Sequence, residues 1–328
     1  MKYRRLGKTD FNVSEISLGT WQVGGSWGSG FDNSSADKII NTAIDQGINF
    51  IDTADVYEAG LSEAAVGRVV RSRKEEVYVA TKCGRQINPH TNENYQPKVL
   101  RKFVEDSLKN MGLECLDLIQ LHCPPTEVFY RPEIFGLFDR LKDEGKIKHL
   151  GISVEKIEEA LKGIEYENVA TVQIIFNMFR QRPKELFFEQ VRKKDVGVIV
   201  RVPLASGLLT GKFSAASTFD ADDHRNFNRD GSHFDKGETF AGIPYNLGLK
   251  AVEELKALFP NHTNLAPIAL RWILDHPEVG CIIPGASKEA HLLSNITASD
   301  LPPLTEGQHQ QVDAIYDRLI REHVHHSW

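Results

Sequence analysis

The spacing of apolar positions divides the chain into two recurring kinds of segment. Short apolar runs end on a polar residue or glycine, and longer stretches repeat apolar residues every three or four positions before a glycine. In the first long stretch Ala36, Ile39, Ile40, Ala43 and Ile44 share one helical face. Ser34 and Ser35 are its candidate N-caps, and Gly47 suits a left-handed residue past its end. NFIDTAD then reads as a strand, SEAAVGRVVRS as a helix and EVYVATK as a strand. Pro97 opens a second clear stripe through Leu100, Phe103, Val104, Leu108 and Met111 to Gly112. LDLIQLH is the next strand, Ile134, Leu137, Phe138 and Leu141 form a helix face before Gly145, and KHLGIS is a further strand.

The rhythm continues through a short helix near 155–163, the strand TVQIIFN, a helix near 183–194, the strand VGVIVRVPL, helices near 245–258 and 265–275, and GCIIPG. With ISLGTW at 16–21, eight strands begin near 16, 49, 76, 116, 148, 171, 197 and 280. Eight strand–helix units in 328 residues predict a (β/α)8 TIM barrel, whose buried parallel strands read as continuous apolar runs. Three segments stand outside the repeat. KYRRLGKTDFNVS predicts a hairpin closing the barrel bottom, and Val312, Ile315, Tyr316, Leu319 and Ile320 predict a final packed helix. The polar, glycine-containing stretch from Gly207 to Gly242 far exceeds an ordinary ~2–6-residue connection and predicts a mobile functional loop. No linker composition interrupts residues 1–328, so one domain is expected.

Charge narrows the partners. With 39 basic against 45 acidic residues, the formal charge of −6 gives no footprint for nucleic acid. Cys83, Cys115, Cys123 and Cys281 include no CxxC pair, which suggests a reduced, cytoplasmic protein. The basic start is followed by no apolar h-region and no membrane-length apolar run occurs, so neither export nor membrane insertion is expected. His323, His325 and His326 read as a solvated tail, and no metal site is expected.

In a barrel of this kind chemistry sits where strands end. Strand two ends at Asp52, strand three at Lys82 and strand four at His122, with Tyr57 on the loop after Asp52. One reading is structural: an Asp52–Lys82 ion pair, a capping His122 and a packing Tyr57. The other is acid–base chemistry. A phenol titrates near ~10, an adjacent ammonium lowers that value, and the tyrosine becomes a usable proton donor to a carbonyl oxygen. Asp52 would supply the countercharge that a buried Lys82 requires, and His122 would hydrogen-bond the substrate oxygen.

FIDTADVYEAGLSEAAVGR, VYVATKCG, LDLIQLHCP, HLGIS, PLASGLLTGKF and CIIPGAS, in this order and each near a strand end, resemble the motif series of the aldo-keto reductases. The resemblance covers nearly the whole chain and is to the bacterial branch carrying PLASGLLTGKF. It implies NADP(H)-dependent, reversible reduction of aldehydes or ketones to alcohols, with NAD(H) as a second cofactor and a small carbonyl or alcohol as substrate. The family's tetrad maps onto Asp52, Tyr57, Lys82 and His122, with Tyr57 as the acid. Thr20 and Trp21, at the first strand end, would contact the cofactor; Trp21 would also wall the substrate cavity beside Tyr57 and His122, and Trp27 would either join that wall or shield the rim as a loop residue. Ser153 and Gln173 match the carboxamide positions, although the Asn that often follows the Ser is Val154 here. Arg201 stands at the usually aromatic ring-stacking position. Leu204, Ser206, Gly207, Leu209 and Lys212 match the pyrophosphate loop, and Gly285, Ala286, Ser287, Lys288, His291 and Asn295 the adenosine-phosphate site. Gly285 replaces a phosphate-binding Lys of some relatives, which tempers the expected preference for NADP(H).

Two other readings compete. Gly24-Gly25-Ser26-Trp27-Gly28 satisfies GxSxG, but a serine hydrolase at Ser26 needs a strand-to-helix turn that SGFDNSS interrupts. A non-catalytic nicotinamide-sensing subunit is also compatible with an intact tetrad. Oligomeric state is not legible.

Overall fold

The computed structural model describes residues 1–25 and 30–328. A hairpin of β1 (Tyr3–Arg5) and β2 (Asn12–Ser14) precedes eight parallel strands: β3 (Leu18–Gly19), β4 (Phe50–Asp52), β5 (Tyr78–Cys83), β6 (Leu116–His122), β7 (Ile147–Ser153), β8 (Val169–Ile175), β9 (Gly197–Arg201) and β10 (Val279–Ile282). Each strand of the eight pairs with the next in chain order. Parallel bridges from Ile16 to Ile282 and from Gly19 to Gly285 bring the first and last together, so the sheet is a nearly closed barrel. This is the (β/α)8 architecture that the apolar periodicity predicts.

The helices follow from the same pattern. Asn33–Asp45 buries Ala36, Ile39, Ile40, Ala43 and Ile44. Its cap, however, is Asp32, whose side chain accepts the Ser34 amide at 2.9 Å. The helix starts earlier than expected, which puts Ser34 and Ser35 inside its first turn. Gly47, Gly112 and Gly145 have φ of 86°, 65° and 72°, the conformation read for helix-ending glycines. After the barrel, helix Glu306–Leu319 buries Val312, Ile315, Tyr316 and Leu319 and packs against Tyr245–Leu258.

The hairpin plugs the end where strands begin. Leu6, Phe11 and Val13 pack into the barrel interior against Phe50, Ala80, Leu118, Ile199 and Cys281. Fully burying a side chain such as Leu6 contributes about 1.5–3 kcal/mol. The turn between β1 and β2 comes so close to β9 that a Cβ on Gly7, at φ +51°, would lie 2.1 Å from the Gly197 nitrogen. At the opposite end the 207–242 segment is a chain of turns rather than an open loop. Ala205–Thr210, His224–Phe227, Lys236–Glu238 and Phe240–Gly242 are short helical turns within or beside it.

Candidate active site

The strand ends converge as their positions require. Lys82 is fully buried, and its Nζ donates to Asp52 Oδ1 at 2.5 Å, to the Thr53 carbonyl at 2.8 Å and to the Tyr57 hydroxyl at 3.3 Å. Asp52 Oδ2 accepts from Gln173 Nε2 at 2.8 Å and Gln120 Nε2 at 3.0 Å, so the carboxylate is held from both sides. The Tyr57 and His122 rings meet edge to face, their centroids 6.2 Å apart. All four predicted residues therefore belong to one cluster at the barrel mouth.

Burial sets the protonation states. It raises the Tyr57 pKa above the ordinary phenol value, and the opposing Lys82 charge does not reverse this. The net lowering anticipated from an adjacent ammonium is thus overturned: desolvation of the phenolate outweighs the Lys82 attraction, and the Tyr57 hydroxyl keeps its proton. Burial also disfavours the Lys82 ammonium, but the charges of Asp52 and Tyr57 and the hydrogen bonds to both leave its pKa raised. His122 is driven well below the ordinary imidazole value, first by burial and then by Arg85, Lys82 and Arg201. It is neutral at physiological pH, and its buried Nδ1 has no hydrogen-bond partner among the described residues.

These side chains open into a cavity of about 710 Å³ that runs from Thr20, Trp21, Asp52, Tyr57 and His122 to His291 and Asn295. Its aromatic wall includes Trp21, whose ring stacks with Tyr57 at 6.3 Å between centroids and lies 5.0 Å from the His224 ring. Gln173, Arg201, Leu204, Ser206, Gly207, Lys212, Gly285, His291 and Asn295 also line the cavity. The fit to an extended dinucleotide rests on this length, on Lys212 and Arg225 along the wall, and on side-chain-free surface at Gly207 and Gly285.

Other predicted contacts lie off the wall. Ser153 is buried, with Oγ 3.6 Å from Cys123 Sγ, and Leu209 is buried in the apolar core, since the turn at 205–210 directs it inward. Ala286 is likewise part of the core. Ser287 Oγ lies 3.4 Å from His291 Nδ1, and exposed Lys288 precedes helix Glu289–Ile296. Trp27 and Ser26 fall in 26–29, outside the described residues.

Arg201 is held differently from a free stacking group. Its Nη2 donates to the Val154 carbonyl at 3.0 Å and to Glu155 Oε2 at 2.9 Å, while its Nη1 lies 3.6 Å from Glu238 Oε2. Arg85 Nη1 reaches Glu238 Oε1 at 3.0 Å and Glu155 Oε1 at 3.7 Å. Burial pushes Glu155 up to about 8, whereas Arg85 and Arg201 overcome the burial of Glu238 and draw it down to about 2.

The sequence reading missed Gln120, Arg85, Glu155, Glu238 and His224. Gln120 was within reach, because it lies two residues before His122 on β6 and so shares its face of the strand. Arg85 and Glu155 stand just past strand ends. Glu238 and His224 come from the long loop, where no periodicity points to a facing direction.

A (β/α)8 barrel that gathers a tyrosine hydroxyl, a buried ammonium and a neutral imidazole at the mouth of a deep cavity is arranged as an enzyme's site. A model of the Aldo/keto reductase family matches residues 15–317. The chain is 32% identical over 335 residues to Aldo-keto reductase YhdN of Bacillus subtilis (strain 168), covering 99% of this chain and 96% of the relative. It is 26% identical to the NADH-specific methylglyoxal reductase of Escherichia coli (strain K12), over 92% of this chain and 94% of that protein. It is also 26% identical to a probable voltage-gated potassium channel subunit beta of Oryza sativa subsp. japonica, over 93% of each. Among solved structures, the glycerol dehydrogenase AKR11B4 from Gluconobacter oxydans matches with a TM-score of 0.77 and 30% identity, covering 97% of this chain and 96% of that one. The chain belongs to the aldo-keto reductase family and is an NAD(P)H-dependent reductase. No helix among the described residues is long and apolar enough to cross a membrane.

Proposed function

We propose that this protein reduces aldehyde or ketone carbonyls to alcohols, reversibly, in the cytoplasm, with all 328 residues forming one catalytic domain. The observation that carries the reading is the unbroken chain Asp52–Lys82–Tyr57 facing a neutral His122 across the cavity mouth. When bound, the reduced nicotinamide supplies a hydride to the carbonyl carbon. Tyr57 donates its proton to the oxygen as negative charge develops there, and Lys82, 3.3 Å away, stabilises the phenolate left behind. Asp52 keeps Lys82 charged and in place, and the neutral His122 orients the carbonyl oxygen.

Gln173, Arg201 and Thr20 would hold the nicotinamide end, Leu204, Ser206, Gly207 and Lys212 the pyrophosphate, and Gly285, His291 and Asn295 the adenosine. Ser153, Leu209, Ala286, Ser287 and Lys288 would contribute through backbone groups or after side-chain rearrangement. NADP(H) is the preferred cofactor, and NAD(H), the cofactor in the name of the Escherichia coli relative, serves as the second. The names methylglyoxal reductase and glycerol dehydrogenase support small carbonyls and polyols as substrates.

The test is a panel of aldehydes, ketones and polyols assayed with NADPH and NADH. Cofactor oxidation with at least one simple aldehyde is expected. The potassium-channel relative favours a second reading as a nucleotide-sensing subunit, and tight cofactor binding without turnover on any substrate would decide for it.

A further inference from the structure

Asp52, Gln120 and Gln173 stand on β4, β6 and β8, alternate strands of the barrel. Alternate strands supply the side chains of one interior layer, a place ordinarily filled by branched apolar residues. Phe50 and Leu118, two residues earlier on β4 and β6, are apolar and pack together in the barrel interior. The layer above them is polar, and its three residues are each at most 1% exposed. Buried amides and carboxylates must be satisfied within the chain or they cost stability.

A triangle of hydrogen bonds satisfies them. Gln120 Nε2 donates to Asp52 Oδ2 at 3.0 Å, and Gln173 Nε2 donates to the same oxygen at 2.8 Å and to Gln120 Oε1 at 3.2 Å. A carboxylate only accepts, so both amides must turn nitrogen toward Asp52, and charge sets the orientation of each. Both hydrogens of the Gln173 amide are then committed within the chain. What Gln173 offers to the cavity it lines is therefore its carbonyl oxygen, an acceptor. Asp52 and Gln173 reach the cavity wall, whereas Gln120 stands behind them and is not part of the lining among the described residues. Any effect of Gln120 on a bound molecule must pass through its two neighbours.

We infer that Gln120 is a positioning residue with two outputs: through Asp52 it keeps Lys82 seated beside Tyr57, and through Gln173 it holds an acceptor toward the nicotinamide end of the cofactor. The inference rests on the reductase reading and adds to that site a residue that touches neither substrate nor cofactor. The double tie links the two halves of the site. When Gln173 is drawn toward the cavity, Asp52 Oδ2 still has the Gln120 amide, and Lys82 keeps its countercharge.

Two variants test it. Gln120→Met keeps the side-chain length and removes both hydrogen bonds, while Gln120→Glu keeps an acceptor for Gln173 and, when protonated, a donor for Asp52. Calorimetry on the cofactor-free protein compares NADP+ with 2′-phospho-ADP-ribose, which lacks the nicotinamide and so reports folding and the remote contacts. Gln120→Met should weaken NADP+ by about two- to ten-fold, the range of one neutral hydrogen bond, and leave 2′-phospho-ADP-ribose unchanged. Single-turnover reduction of benzaldehyde by NADPH reads the other output. In Gln120→Met the rate should fall by about ten-fold, the lower end for a hydrogen bond to a charged group, at an unaltered half-saturating aldehyde concentration. In Gln120→Glu it should approach wild type at low pH and fall as pH rises, because a second carboxylate beside Asp52 opposes the phenolate left on Tyr57. A role in packing alone would produce no such pH step. Equal losses for the two nucleotides, NADP+ binding untouched by Gln120→Met, or a Gln120→Glu pH profile shaped like that of wild type overturns the positioning role. If wild type reduces no aldehyde with either cofactor, the reductase reading fails instead, and the nucleotide pair still decides whether Gln120 orients Gln173.

Discussion

The Lys82 ammonium lies 3.3 Å from the Tyr57 hydroxyl, close enough to bind the phenolate yet on the side away from solvent. That relationship joins a buried charge to a group that must give up a proton. Tyr57→Phe removes only the hydroxyl, so cofactor affinity should be preserved while the reduction rate falls. General acid catalysis contributes about 10²–10⁴-fold. Stopped-flow measurement of the chemical step checks this, and a rate within a few-fold of wild type would remove Tyr57 from the role of acid.

Lys82→Met should be at least as damaging to turnover. It strands Asp52 with the Gln120 and Gln173 amides as its remaining side-chain partners among the described residues. Breaking a buried ion pair costs about 3–5 kcal/mol, so a lower midpoint in urea unfolding is expected alongside the lost rate. An unchanged pH–rate profile in any residual activity would show that Lys82 and Tyr57 are not coupled.

Asp55 gives a pH dependence opposite to that of an ion-paired carboxylate. It is buried, and burial together with the charge of Glu63 pushes it up to about 8. Between the ordinary value of 3.8 and about 8 the folded protein keeps a proton that the unfolded chain releases. Its contribution therefore weakens folding as pH rises through that window, by at most roughly 1.4 kcal/mol per pH unit. Asp55→Asn should abolish this slope, stabilising the protein more at pH 8 than at pH 5. Denaturant titrations at the two pH values measure it; a variant equally stabilised or destabilised at both would assign Asp55 no titration in this range.

Under the proposed placement of the adenosine end, cofactor choice would turn on the cations around His291. Burial holds His291 below the usual imidazole range, with Lys212 and Lys288 adding to the effect, so it supplies no firm positive charge. Lys288→Met should weaken NADPH binding by about ten-fold, the lower end for a charge-assisted hydrogen bond because Lys288 is exposed, and leave NADH affinity nearly unchanged. Fluorescence titration with both nucleotides checks it, equal losses showing that the 2′-phosphate lies elsewhere.

Gly7→Ala tests the barrel plug. Its Cβ would lie 2.1 Å from the Gly197 nitrogen, a backbone contact that cannot rotate away. A loss of about 3 kcal/mol in unfolding free energy is expected, with kcat of the folded protein unaltered. Unfolding unchanged from wild type would mean that the hairpin can shift without cost.

Much of this architecture is legible in one dimension because strands buried on both faces read as apolar runs, and the residue that ends each run faces the site. Asp52, Lys82 and His122 follow from that rule. Gln120 and His122 are two apart on β6, so strand alternation also places them on one face. Glu238 does not follow from any such rule, because its position depends on irregular turns fixed by Arg85 and Arg201. Arg201 shows the same limit from the other side. Its place at the end of β9 was readable, but its engagement with Glu155 depends on a neighbour two strands away. Ser34 and Asp32 differ for a simpler reason: several residues near a helix start can cap it, and backbone geometry selects one.

The plug formed by Leu6, Phe11 and Val13 has a consequence for traffic as well as for stability. With the lower end filled, the barrel opens among the described residues at the rim beside the 207–242 segment, so under the proposed function nucleotide, substrate and product would share that rim. Whichever partner lies deeper must arrive first and depart last. Such a queue makes the turnover order a property of shape, and it lets a product lingering at the rim delay release of the nucleotide behind it.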